Sequence, residues 1–464
     1  MHYKASGARR HASEITPYDA LKLALQDIGR PVKDALAMSP GRDPFYCGQP
    51  AQLRDAQWFA ELHSALDIGA NVHLRRIHYR LVSQSEPPIK PDGTPYSNTK
   101  QDWQWFCEAV VAARTLALVD VRTFVDRRNP DPLLLRTAQE QIPRGYSVPM
   151  PDFWFAGIFA DLDTPRLDIP SPEVRGFSYT DDDQPYLIEV WVEKTTMNDV
   201  LVPVCKRYRA NLITAAGFQS ITAAVNLIDR AQRLNKPARI FYISDFDPAG
   251  DKMPIAVARQ VEFWLRQYDL DIDLALTPIA LTAEQVAHYE LPRIPIKATD
   301  NRRAKFEARY GEGAVELDAL EALYPGELAR ILDEAIAPYW DRHLRHRINA
   351  QAEDIKDRLS LAWSNRTSKE QAAVAEIQDA IEAIFSDYQD ELSDLAERLD
   401  TELQPLREQL DGIENQIDAK RYDFEPEIHE RLTSDKEPPD ESEWMFSSRR
   451  GYFEQLTHYR KEAV

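Results

Sequence analysis

The chain has 464 residues, a formal net charge of −20, and 43% hydrophobic against 28% charged residues, which is length enough for two to four domains that each bury a core. No apolar run reaches the ~18 residues of a membrane-spanning helix, Met1 to Glu14 is polar and basic without a signal-type apolar segment, and the expectation is a soluble, cytoplasmic protein with no membrane partner. The three cysteines, Cys47, Cys107 and Cys205, lie far apart with no Cys-x-x-Cys, which excludes a disulfide framework and leaves packed thiols.

Acid is unevenly spread. Residues 1–150 carry 19 Lys plus Arg against 16 Asp plus Glu, whereas residues 351–464 carry 14 against 29. Phosphate binding depends on local cations, so a front half that contacts nucleic acid is compatible with the overall charge.

Residues 1–53 read as an N-terminal arm and helix, with a basic start and a helical stretch over 17–27. Residues 54–135 read as a winged helix-turn-helix DNA-binding domain, with helices over 55–66, 74–84 and 99–116 and a β wing over 119–125. The middle helix holds Leu74, Ile77, His78 and Leu81 on one face at steps of three and four, so Arg75, Arg76 and Arg80 surround the opposite side and Tyr79 falls near the boundary. Lys100, in the third helix, and Arg127 and Arg128, after the wing, are further candidate DNA contacts.

Residues 180–345 alternate strand and helix. The apolar stretch 185–194 ends at Glu193-Lys194, and Ile240-Phe-Tyr-Ile-Ser-Asp-Phe-Asp-Pro-Ala-Gly250 ends at Asp245 and Asp247. Between them come a helix over 197–209, a strand over 211–215, a turn over 217–220 and a helix over 221–234; a helix over 252–268 and a strand over 274–281 follow. Such alternation predicts a parallel sheet covered on both faces, with ligands outside the carboxyl ends of its strands. There Glu193, Asp245 and Asp247 share one edge, and hard carboxylate oxygens of this kind suit a divalent cation. Lys194 is suited to phosphate or to a salt bridge, Ser220 to an ordinary helix N-cap, and Asp251 to a helix start. The stretch Gly313-Ala-Val-Glu-Leu-Asp-Ala-Leu320 reads as part of the same core and is assigned no chemistry.

From Val374 to Ile417 apolar residues follow one another at steps of three or four, the pattern of a coiled coil over 350–420. Pro405 is expected to kink that run or divide it into a hairpin. Residues 421–464, acidic and aromatic, read as a docking tail.

The order Glu193-Lys194, then Gly217 to Ser220, then Asp245-x-Asp247-Pro-x-Gly250 resembles the Toprim domain of the topoisomerase VI A subunit and the meiotic double-strand-break protein. Arg75-x-Ile77-x-Tyr79 resembles the tyrosine motif in the winged helix of that family, with His78 in place of its first tyrosine. The resemblance covers roughly residues 55–320 and is most similar to bacterial, phage and plasmid members. It implies an α/β Toprim fold with an N-terminal winged helix, and Glu193, Asp245 and Asp247 as ligands of Mg²⁺, for which Mn²⁺ substitutes. It further implies Tyr79 as the nucleophile that attacks double-stranded DNA, assisted by Arg75, in a homodimer that builds its site between protomers. The C-terminal helices are an addition to that core.

No Gly-x-x-x-x-Gly-Lys-Ser/Thr appears, so strand passage would need a separate ATPase, and the coiled coil is a candidate surface for such a partner. A second reading keeps the acids and makes the protein a Toprim nuclease, of the plasmid-restricting or antiphage type, that hydrolyses DNA with water while Tyr79 is structural. A third makes the chain a DNA-binding scaffold with a degenerate Toprim fold, against which all three acids stand.

Overall fold

The computed structural model describes residues 15–26, 29–125, 129–138, 142–153, 164–215, 220–388, 396–424, 426, 432–434 and 436–461. In chain order the helices α1 (Pro17–Gln26), α2 (Pro50–Ala65), α3 (Leu74–Val82) and α4 (Lys100–Thr115) come first. The short strands β1 (Gly145–Ser147) and β2 (Glu173–Arg175) follow, then β3 (Leu187–Val192), α5 (Asn198–Arg207), β4 (Asn211–Thr214), α6 (Ile221–Leu234), β5 (Ala238–Ile243), α7 (Met253–Gln267) and β6 (Leu274–Ala280). Next are α8 (Ala283–His288), α9 (Arg303–Tyr310), α10 (Leu317–Leu323), α11 (Glu327–Ile336), α12 (Leu344–Arg366), α13 (Ser368–Tyr388) and α14 (Ala396–Tyr422), and last β7 (Phe446–Ser447) and α15 (Tyr452–Lys461).

The chain divides into two units. The first unites residues 1–138, 184–341 and 436–464 around a five-stranded sheet of order β4-β3-β5-β6-β7. The first four strands run parallel, and β7 pairs antiparallel with β6 through Ala275–Ser447 and Leu276–Phe446. Both faces are covered, which is why β3 and β5 read as near-continuous apolar runs. Leu187, Trp191, Ile240 and Tyr242 pack with α6, α7, Leu21 of α1 and Tyr459 of α15. On the other face, Ile188, Val190, Phe241 and Ile243 pack with α5, α10 and α11.

Local chemistry explains the element ends. Thr99 and Ser220 cap α4 and α6 through their side chains, Pro begins α2, and α6 stops at Asn235, whose φ of 50° is left-handed, a conformation asparagine tolerates. The Ser220 side chain therefore serves as an N-cap. Gly250 is required by its surroundings: an added Cβ would lie 2.0 Å from the Asp245 carbonyl oxygen.

Helices α2, α3 and α4 enclose Phe59, Ile77, Leu81, Phe106 and Val110. The β wing expected over 119–125 does not form. Val121–Thr123 is a single 3-10 turn capped by Asp120, the Arg114 guanidinium donates to the Val121 carbonyl at 2.7 Å, and Phe124 makes one isolated bridge to Val72. A backbone drawn into a cap and a side-chain bond has no free edge left for a ladder. This helical module is fastened to α6, where Arg114 donates to the Thr222 hydroxyl at 2.8 Å and Arg122 forks onto Asp229 at 2.9 and 2.6 Å.

Residues 436–461 are no docking tail. Met445, Phe446, Leu456 and Tyr459 are buried in the sheet's core, and Tyr452 and Tyr459 reach a buried salt-bridge network of Arg259, Asp43 and Glu262. That network joins α7 to both the N-terminal and the C-terminal segment.

The second unit unites residues 139–183 and 342–435. Helix α12 presents Ile355, Leu359 and Trp363, α13 presents Val374, Ile377 and Ile381, and α14 presents Leu403, Leu410 and Ile417. The apolar stripe thus buries itself, as its spacing predicts, but within one chain and together with Phe153, Leu167, Ile169 and Phe177 of the earlier segment. The Trp363 indole N–H donates to the Pro170 carbonyl at 3.1 Å. Pro405 does not divide the run, because it lies inside α14 on the exposed side, where water can stand in for its missing donor. Among the described residues no helix is long and apolar enough to cross a membrane.

Candidate functional site

The strand order places β4 and β5 on opposite sides of β3, so the chain reverses direction across the sheet between β3 and β5. A crevice opens at the carboxyl ends of two such strands, where α/β proteins place ligands. Register then fixes which side chains meet there. Val192 pairs with Ile243, the Glu193 N–H donates to the Ile243 carbonyl at 3.0 Å, and the Asp245 N–H donates to Glu193 Oε2 at 3.3 Å. Glu193 and Asp245 therefore meet at one sheet edge, as the sequence pattern predicts.

Asp247 turns the chain. Its Oδ1 accepts the N–H groups of Ala249 and Gly250 at 2.8 and 2.6 Å, which closes the Pro248 turn ahead of α7. Burial, followed by the Asp245 and Asp247 charges, pushes the Glu193 carboxyl up to about 7. Asp245 is also raised by burial, against the opposing pull of the Leu317 N–H and of Lys194. Asp251 bonds to Lys252 and to the Tyr310 hydroxyl, which accounts for it structurally.

Two acids that sequence reasoning left without a role belong to this site. Phe246 and Val315 exchange both backbone hydrogen bonds at 2.9 Å, which draws the stretch after Gly313 alongside the Asp-x-Asp turn. The Leu317 N–H then donates to Asp245 Oδ1 at 2.8 Å. Glu316 and Asp318 flank that residue, and Lys194 Nζ lies 2.9 Å from Asp245 Oδ2, 3.1 Å from Glu316 Oε2 and 3.0 Å from Asp318 Oδ2. Burial works against the ammonium, but the hydrogen bonds it donates to Asp245 and Asp318 outweigh it and hold Lys194 protonated. The Glu-x-Asp of 316–318 was the available signal; what its sequence position hides is a single bridge across some seventy residues.

The donor chemistry fits a hard divalent cation, since three carboxylates face one half-buried ammonium and the neighbouring Glu193, like Asp245, is raised by burial. The ligand geometry is not closed: among the described residues no three His, Cys, Asp or Glu side chains are arranged to hold a metal ion. Asp245 Oδ2 faces Lys194, and Asp247 Oδ1 faces its own turn.

On α3 the division is sharp. Ile77, His78 and Leu81 are buried, whereas Arg75, Arg76, Tyr79 and Arg80 are exposed, Tyr79 by 54%. His78 is a core residue at 5% exposure, with Nδ1 2.6 Å from the Tyr96 hydroxyl and Nε2 3.1 Å from Asn98 Oδ1. Arg75 lies over the Trp103 ring, 5.4 Å from its centroid. Tyr79 is thus no core aromatic; its ring is tilted against that of His78, 5.2 Å between centroids. Lys100 is exposed at the start of α4. Arg127 and Arg128, and Gly217 to Gln219 of the turn before Ser220, lie outside the described residues. Among the described residues no hydrogen bond or ion pair connects α3 to the acids.

Comparison with known protein families finds no matching family model, and comparison with curated proteins finds no match.

Proposed function

We propose that the protein is a Mg²⁺-dependent DNA-cleaving enzyme of the kind its resemblance to Toprim and winged-helix proteins suggests. The observation that carries this reading is the meeting of Glu193 and Asp245 at the strand-order reversal, with Asp247 in the turn that follows. Glu193, Asp245 and Asp247 would hold the ion, and a bound Mg²⁺ would offset charge that develops on the scissile phosphate.

The chain's own residues supply the rest. Arg75, Arg76 and Arg80 form an exposed cationic face around Tyr79, which suits a phosphate backbone. In the covalent reading the Tyr79 oxygen attacks phosphorus, the phosphorus–oxygen bond to one deoxyribose breaks, and a phosphotyrosyl link and a free hydroxyl result. The exposure of Tyr79 supports this reading over one in which the ring merely packs. The absence of any described bond between α3 and the acids supports the alternative, hydrolysis by water, unless a second protomer brings its acids to the first protomer's tyrosine.

One experiment separates the readings. Supercoiled plasmid is incubated with the protein and Mg²⁺, quenched with detergent and analysed for broken DNA and for DNA attached to protein. Asp245→Ala is expected to abolish cutting in either reading. Tyr79→Phe is expected to abolish both cutting and adducts; cutting within a few fold of wild type and free of adducts assigns the attack to water. Full activity of a folded Asp245→Ala protein refutes the metal reading.

A further inference from the structure

Lys194 follows the first acid of the site directly, yet its ammonium is turned toward Asp245, Glu316 and Asp318 at 2.9, 3.1 and 3.0 Å. Only Asp245 of the three belongs to the proposed ion site. The other two carboxylates are about half exposed and flank Leu317, whose N–H fixes Asp245 Oδ1. A half-buried ammonium that lost its partner would be left with an uncompensated charge. Here it would not be, because two partners remain.

We propose that Lys194 is the site's internal counter-ion: it neutralises Asp245 while no divalent cation is bound, and yields Asp245 to the cation while staying paired with Glu316 and Asp318. The exchange is a matter of partners and not of protons. One carboxylate changes from an ammonium to a divalent cation, and the lysine keeps its charge throughout. Glu316 and Asp318 then act as positioning residues that lower the cost of releasing Asp245, not as ligands. The proposal rests on the metal reading above.

Mn²⁺ binding to the full-length protein, followed by electron paramagnetic resonance of the free ion and by calorimetry, tests it without recourse to activity. Lys194→Met is expected to bind Mn²⁺ about tenfold more tightly, as the competing charge at Asp245 is gone. Glu316→Gln with Asp318→Asn is expected to weaken binding about tenfold in the wild-type background, because the ammonium would have to leave its last partner. The deciding measurement is the combination. In the Lys194→Met background the same pair of changes is expected to leave affinity within about twofold, since no ammonium remains to be rehoused.

General electrostatics, or direct ligation by Glu316 and Asp318, would instead weaken binding equally in both backgrounds, and that result overturns the proposal. Unchanged or weaker binding by Lys194→Met also overturns it while leaving the metal reading intact. Mn²⁺ binding by Lys194→Met but not by wild type supports it, and binding by neither protein removes both readings. Lys194→Gln, which keeps hydrogen bonding without charge, repeats the series if the methionine variant is poorly folded by circular dichroism.

Discussion

Replacing Glu193 by Gln gives a direct measure of the electrostatic tension at the sheet edge. The carboxyl rises from 4.5 to about 7 through burial and the neighbouring Asp245 and Asp247 charges, so the folded state disfavours the ionised form. In the unfolded chain the group ionises near its usual value. Below that value both states are protonated and the group has no effect; between about 4.5 and 7 the penalty grows; above 7 it is fully present. Every tenfold change in acidity between the two states corresponds to about 1.4 kcal/mol. Because Glu193 is only half-buried, solvent screening reduces the sum to about 1–2 kcal/mol at pH 8. The Gln side chain retains an oxygen that can accept the Asp245 N–H. In EDTA, Glu193→Gln is therefore expected to raise the melting temperature by about 2–4 °C at pH 8, with the gain shrinking to a fraction of that at pH 5. Equal changes in melting temperature at the two pH values, or a less stable variant at pH 8, would refute the reasoning.

Gly250→Ala is expected to cost at least about 2 kcal/mol in urea unfolding, because its Cβ would lie 2.0 Å from a backbone oxygen that belongs to Asp245 itself; a change under about 0.5 kcal/mol would mean that the turn opens freely. Ending the chain at residue 435 is expected to abolish the cooperative melting of the first unit, since Phe446, Leu456 and Tyr459 leave its core; an unaltered transition would show the last segment to be dispensable.

Much of the sheet was legible from the chain alone. Apolar runs that stop at acids, separated by helices of 3.6 periodicity, recovered β3, α6, β5, α7 and β6 to within a residue or two, because strands buried on both faces leave little ambiguity. A shared edge for Glu193 and Asp245 follows from parallel strands in register. Contacts decided elsewhere were not legible. Glu316 and Asp318 reach the site through one bridge, Phe246 to Val315. The strand β7 has two residues, too few for any alternation. Val119 to Phe124 has strand-like residues whose backbone is claimed by Asp120 and Arg114. The residues of 164–177 that pack on α12 to α14 show no helical period, so their place in the second unit emerges only from the fold.

The strand order also bears on how the protein is made. The neighbour that finally covers the outer side of β6 is β7, and 165 residues separate Ala280 from Phe446. At ribosomal rates of about 5–20 residues per second, that edge stays unpaired for roughly 10–30 s after β6 has emerged. An uncovered strand edge is a template for pairing with another chain. The nascent protein therefore has to complete its whole second unit while the first still exposes a sticky border, and slower elongation through 281–446 lengthens that exposure in proportion.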